Sequence, residues 1–438
     1  MTPLLGAGHL VSRARERIPL AASGSTALAV DSVALIVTSA LSALTGIAFW
    51  TLAARLIPPH QLGVETAVLS LMTTAGAIAA SGPGNALTAM IPASDATGRR
   101  ERLVEGVGVV GVGALVAGLI AGVVGALTIG ESAFPAMLLI TGGSMILAFF
   151  AFKDTVLTAL SAARRLPALN LGISVFKAGA LPIAVMLTLP MGAVTSSLVA
   201  AVIGIGVVAW MAPSLINRHL PSEDSLRAHK RGALLSFSLR DGTASLVSMG
   251  ALLAAPFLTT WLAGPVQGAM LALMLPVAQG LDFVSTGAAM ALTKHLPTSD
   301  RPDGVIRRVW WISEAAVIGL AVVLVLIAAP LLFGLFGDGY DHETLWLTLA
   351  VLCLGSMLRV SFVIWAAVLR ASLATRTLLV TNVAASVLTV PVLVLSIIAW
   401  GAVGAAVGAC FGSLVLGLAG VIGLTRGTTS FVAGTGSQ

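Results

Sequence analysis

The chain reads as an all-α polytopic membrane protein, with about twelve transmembrane helices in two parallel, pseudo-symmetric six-helix bundles. Three observations predict this. Of 438 residues, 10% are charged and 57% are hydrophobic, and the mean hydropathy is +1.02. A soluble domain carries about 25% charged residues. So few charges cannot clothe a water-soluble fold of this size, which excludes a soluble enzyme, a coiled coil and a disordered chain. Apolar runs of about 20 residues, the length that crosses a bilayer core, recur along the whole chain. Finally, Lys and Arg fall in alternate connections between those runs, as they do when one side of a membrane is the cytoplasm.

Taken in order, residues 1–28 hold Arg13, Arg15 and Arg17 and read as a cytoplasmic basic tail. The apolar run that follows is about 25 residues long, beyond a signal-peptide core, and is expected to stay as the first span. Spans are expected at 29–54, 62–82, 104–128, 135–160, 167–189, 192–215, 233–260, 265–293, 309–335, 344–369, 374–396 and 401–425. Run length and the lack of two-residue alternation favour helices over a barrel. With both termini in the cytoplasm, 19 of the 24 Lys and Arg lie on the inner side, Arg55 alone lies outside, and four fall within spans. The net charge of +6 is then a record of topology, and no nucleic-acid partner is expected. Trp50, Trp261, Trp346 and Trp400 fall at outer ends and Trp210, Trp310, Trp311 and Trp365 near inner ends, where an indole finds both apolar and polar neighbours.

The longest internal cytoplasmic loop divides the spans six and six. This gives an N-terminal bundle over 29–216, a linker over 217–232, a C-terminal bundle over 233–425 and a cytoplasmic tail over 426–438. Short strings repeat at offsets of 205 to 212. Ala86–Pro92 (ALTAMIP) answers Ala291–Pro297 (ALTKHLP), Asn170 answers Asn382, Gly192-Ala193-Val194 answers Gly401-Ala402-Val403, and Asp31 answers Asp241. An even number of spans per half puts the pseudo-symmetry axis along the membrane normal, with a cleft between bundles that rock to give alternating access.

Gly106-Val-Gly-Val-Val-Gly111 matches a dinucleotide fingerprint in form, but no strand precedes it and no acid follows at the ribose distance. It and the Gly404, Gly408, Gly412 series read as helix-packing faces. Cys353 and Cys410 lie in apolar runs with no metal or redox spacing. No cofactor is expected beyond a coupling H+ or Na+. The informative residues are charges inside spans, where they are expensive and therefore functional candidates. Lys153, Lys177, Arg240 and Arg359 are candidates to bind an anionic substrate, and Asp154, Asp282 and Asp241 to couple an ion. The competing reading pairs them structurally, for example Lys177 with Asp154 or Arg359 with Asp282. Pro182 and Pro391 are expected to kink helices 5 and 11 at matching places.

Two segments carry a family resemblance. Ala53–Leu71, AARLIPPHQLGVETAVLSL, with Arg55, Pro58 and Gly63, resembles the turn between helices 1 and 2 of polysaccharide flippases. Phe333-Gly334-Leu-Phe-Gly337-Asp-Gly-Tyr340 resembles that family's FG-x-x-Y element. The superfamily also includes multidrug exporters and flippases of lipid-linked peptidoglycan precursors, and many members have fourteen helices, two more than expected here. The resemblance implies a non-enzymatic flippase of the cytoplasmic membrane. It would move a polyprenyl-diphosphate-linked oligosaccharide to the outer leaflet for cell-surface polysaccharide synthesis. Its partners would be that lipid-linked glycan, membrane lipid, and glycosyltransferases or a polysaccharide polymerase. The alternative within the superfamily is an ion-coupled exporter of drugs or small metabolites.

Overall fold

A computed structural model describes residues 44–91, 94, 96–129, 133–160, 162–217, 238, 250–295, 302–337, 339–371 and 375–434. Among these there is no strand. Helix α1 is Leu44–Leu56, α2 Pro59–Met90, α3 Ala96–Thr128, α4 Ala133–Ala159, α5 Leu166–Met186 and α6 Gly192–Ile216. The second half has α7 Ala255–Ala263, α8 Pro265–His295, α9 beginning as Pro302–Val323, and α10 His342–Ala371. The last stretch, Thr375–Gly434, breaks at Gly401 (φ 58°) into α11 over 375–400 and α12 over 402–434. This is the all-helical, two-lobed membrane fold expected from the sequence. Asp31, Arg240, Asp241 and nearly all of the expected linker lie outside the described residues.

Helices start and stop where backbone chemistry tells them to. Pro59 and Pro265 open α2 and α8, a position that wastes no N–H. The two helices end at Met90 and His295, so the repeat seen in the sequence marks equivalent helix ends. Helix α2 outruns its expected span because it stays helical through Ser81-Gly-Pro-Gly-Asn85. There Gly82 lets the backbone of Ser238 approach and Gly84 lies against Thr155. Helix α9 passes through a π-helical turn, Leu324–Ala328, before finishing as Ala329–Phe336. Pro330 follows that turn, and a proline ring collides with the carbonyl four residues back in a regular helix. The wider turn relieves the collision, and the Val325 carbonyl accepts the Trp346 indole N–H at 3.2 Å.

Helices α2, α3, α4 and α6 pack together as one lobe, with α5 against α6, and α7 to α12 form the other. Gly404, Gly408 and Gly412 fold α12 back tightly onto α11, as their spacing suggested. The lobes meet along α2, which packs on α7 and α8. Thr260 Oγ1 donates to the Gly63 carbonyl at 3.2 Å and Ser70 Oγ to the Leu253 carbonyl at 2.6 Å. A Cβ on Gly63 would overlap the carbonyl of Pro265. One apolar core crosses between lobes and takes in Leu62 to Ala75 of α2. A second core, holding Ala79 to Ile91, stays within the N-terminal lobe. The lobes are therefore joined at the end that charge counting places outside, while the other half of the N-terminal lobe has a core of its own.

Candidate substrate and coupling site

At the joined end, the two segments that carry the family resemblance touch. Arg55, at the end of α1, donates from Nε to the Leu335 carbonyl and from Nη2 to the Gly334 carbonyl at 3.5 Å. Those carbonyls close the last turn of α9, where the negative end of the helix dipole favours a cation. Pro59 lies against Gly339 in the same corner.

Deeper in the N-terminal lobe, Lys153 on α4 is 3% exposed. Its ammonium is paired with Asp154, donates to Asn170 Oδ1 at 2.8 Å and sits 4.2 Å from the centre of the Phe150 ring. Asn170 thus glues α5 to α4. Lys177 on α5 has different company. Its Nζ lies 3.8 Å from the Phe49 ring centre and 5.7 Å from that of Trp50, both on α1. Among the described residues no carboxylate pairs with it, so the Lys177–Asp154 pair is not formed.

In the C-terminal lobe, Arg359 on α10 pairs with Asp282 on α8. Both line a cavity of about 120 Å³ whose wall also includes Gln279, Ser356, Asn382 and Thr389. Arg359 Nε is buried and finds no hydrogen-bond partner among the described residues. The two lobes therefore repeat one plan. A cation on α4 or α10 stands beside a carboxylate, with an asparagine of the next helix close by. Counted from the helix starts, Lys153 and Arg359 differ by about one turn. The candidate cations are not gathered into one cluster. Lys153 is enclosed, Lys177 faces aromatic rings, Arg359 reaches a cavity, and Arg240 lies outside the described residues, as does the candidate coupling residue Asp241.

Glu65 on α2, which is not among the sequence candidates, is the most buried carboxylate among the described residues, at 0% exposure. Its Oε2 accepts the Ala193 N–H at 2.6 Å and its Oε1 the Gln61 amide at 3.1 Å. It thereby caps the first turn of α6, whose preceding residue Met191 is left-handed. In the other lobe Gln267 of α8 accepts the Ala402 N–H at 2.9 Å and caps α12. The repeated Gly-Ala-Val turns are thus held alike, by an acid in one lobe and an amide in the other. The available signal was a Glu one turn after Gln61 in an apolar run.

No protein-family model matches the sequence, and no curated protein matches it. Solved structures do. The lipid II flippase MurJ in an inward closed conformation superposes with a TM-score of 0.70 at 11% identity, over 90% of this chain and 88% of that one. An inward-facing multidrug resistance MATE family transporter of the MOP superfamily gives 0.62 at 14%, over 92% and 99%. A MOP superfamily transporter from Pyrococcus furiosus, noted for reversed polarity of its binding pocket, gives 0.54 at 16%, over 91% and 94%. At these identities the likeness establishes a shared fold.

Proposed function

We propose that this chain is a transporter that flips a polyprenyl-diphosphate-linked oligosaccharide across the cytoplasmic membrane by alternating access, supplying cell-surface polysaccharide synthesis. The observation that carries the reading is Arg359, a membrane-embedded guanidinium on the wall of a largely apolar cavity that also presents Gln279, Ser356, Asn382 and Thr389. A diphosphate needs fixed cations and hydrogen-bond partners, while a prenyl tail can remain in lipid. Arginine suits the task because its planar fork matches phosphate oxygens and stays charged. Lys177, in the other lobe, is the second candidate cation, since no described carboxylate pairs with it and it rests against the Phe49 and Trp50 rings. Lys153 and Arg240 complete the candidate set, and Asp154, Asp241 and Asp282 are the candidate coupling carboxylates for H+ or Na+.

The test is reconstitution in proteoliposomes with a fluorescent prenyl-diphosphate oligosaccharide, reading its exposure on the far leaflet. Arg359→Ala and Lys177→Ala are each expected to cut the rate by about a hundredfold, comparable to losing a charged contact worth 2–3 kcal/mol, with insertion unchanged. Normal rates in both variants would sink the cationic site. The second reading, an ion-coupled exporter of organic cations, draws on Glu314, which lines a groove with Trp310 and Trp311. A carboxylate beside indoles is what a cationic ligand seeks. Gradient-driven ethidium movement without glycan flipping would favour it.

A further inference from the structure

Arg359 raises a difficulty for any carrier that must return empty. When the substrate leaves, a bare guanidinium would be stranded in a low-dielectric wall, and an unpaired buried charge is strongly unfavourable. The structure has Arg359 paired with Asp282. Among the residues lining the cavity these two are the charged ones, one from α10 and one from α8. Of the other segments packed round it, the stretch before α7 contributes Ala251 and Leu252, α11 contributes Asn382 and Thr389, and α12 contributes the thiol of Cys410. Cys353 on α10 is within Coulomb reach of Asp282. Among the described residues no second cation lines this cavity to hold an anion if Arg359 stays engaged.

We propose that Asp282 is a resident substitute for the substrate's phosphate. It holds Arg359 in the empty carrier, gives it up when a diphosphate enters, and takes it back on the far side, which ejects the substrate and neutralises the cavity for the return. This rests on the lipid-diphosphate reading above. Two features support it. The pair is partly open, with side chains 27% and 23% exposed, and it faces free volume. In the related pair of the other lobe the cation is enclosed: Lys153 is buried and tied to Asn170, and the more exposed partner is Asp154. Among the described residues the C-terminal cation faces free volume and the N-terminal one does not, so the working half of the repeat is the C-terminal one.

The experiment uses the full chain in lipid nanodiscs with geranylgeranyl diphosphate as probe, and in proteoliposomes with its fluorescent analogue. Asp282→Asn removes the competitor, so it is expected to bind the probe about tenfold tighter than wild type. It should also slow net transport more than exchange between two loaded sides, because only net transport includes the empty return. Asp282→Glu should move both readouts back toward wild type, and adding Arg359→Ala should cancel the gain in affinity. If Asp282→Asn inserts poorly, Asp282→Ser removes the same charge and is read the same way. Unchanged or weaker binding in a folded charge-removing variant overturns the proposal, and so does an equal fall in exchange and net transport. Failure of wild type itself to bind the probe would instead overturn the lipid-diphosphate reading.

Discussion

A single carboxylate illustrates how local chemistry supports the whole. Glu65 satisfies an N–H at the start of α6 that no intrahelical carbonyl can reach, and Gln267 does the same for α12. If the acid serves mainly as an acceptor, Glu65→Gln should keep most of the stability, since its counterpart is already an amide. Glu65→Ala should lose about 1–2 kcal/mol, the usual cost of a missing cap, visible as a lower thermal midpoint in detergent. Asp341 is another cap, at the start of α10. Its Oδ2 accepts the Thr344 hydroxyl and, at 3.1 Å, the Thr344 N–H. These bonds hold its carboxyl below the ordinary value. A depressed carboxylate contributes stability above its unfolded pKa, about 3.9, and loses it as pH falls through the lower folded value. The protection factor of the Thr344 amide, its exchange rate set against that of an unstructured amide at the same pH, should therefore hold at neutral pH and fall only in that acid range.

At the scale of the helix, legibility followed the backbone more than the contacts. The ends of α5, α6, α8 and α10 fall within about three residues of the expected spans, because Pro, Gly and apolar run length speak directly to helix starts and stops. Pairings were harder to read. Arg359–Asp282 was among the pairs considered, whereas Asp154 went to Lys153, its neighbour in sequence, and left Lys177 to two rings on α1. Adjacent residues point to different sides of a helix, so that pair depends on Lys153 bending back toward Asn170, which no spacing rule shows. A sharper element-level expectation concerns the seam. Gly63→Val would push α2 away from the Pro265 carbonyl. Distances between spin labels on α2 and α8 at that end should lengthen by a few ångströms, roughly the size of the added side chain. An unchanged distance would mean the seam yields elsewhere.

For the whole molecule, the division of the apolar core implies which contacts must break for the opposite opening. Leu62 to Ala75 of α2 belong to the core shared across the lobes, and Arg55 ties α1 to the end of α9 beside it. Arg55→Ala should leave folding intact and raise the population open at that end, detectable as faster reaction of a cysteine placed at the half-buried Val266. Orientation itself can be checked at Asp338. A cysteine there should react with an impermeant maleimide from outside, and labelling only from inside would invert the expected topology. Two-lobed symmetry was legible because equivalent helices kept their terminal strings. The asymmetry that matters, a cation facing a cavity in one lobe and an enclosed one in the other, was not, since it arises from how helices pack round each cation.

The wide turn at Leu324–Ala328 carries a consequence for chain length. A π-helical turn holds one residue more than the regular helix it interrupts, so it behaves as an insertion that the fold has absorbed. Everything beyond it is rotated by about a quarter-turn, roughly 100°. That rotation turns Phe333 and Phe336 inward and presents the Gly334 and Leu335 carbonyls to Arg55. Counting along α9, this is the place where an alignment would fall out of register by one. Deleting Val325 should close the wide turn without shortening the span enough to matter, and should bring back the Pro330 collision that the turn relieves. The same deletion would swing the two phenylalanines toward lipid and undo the Arg55 contact, so a loss of one residue here should act on the joined end like the loss of Arg55 itself.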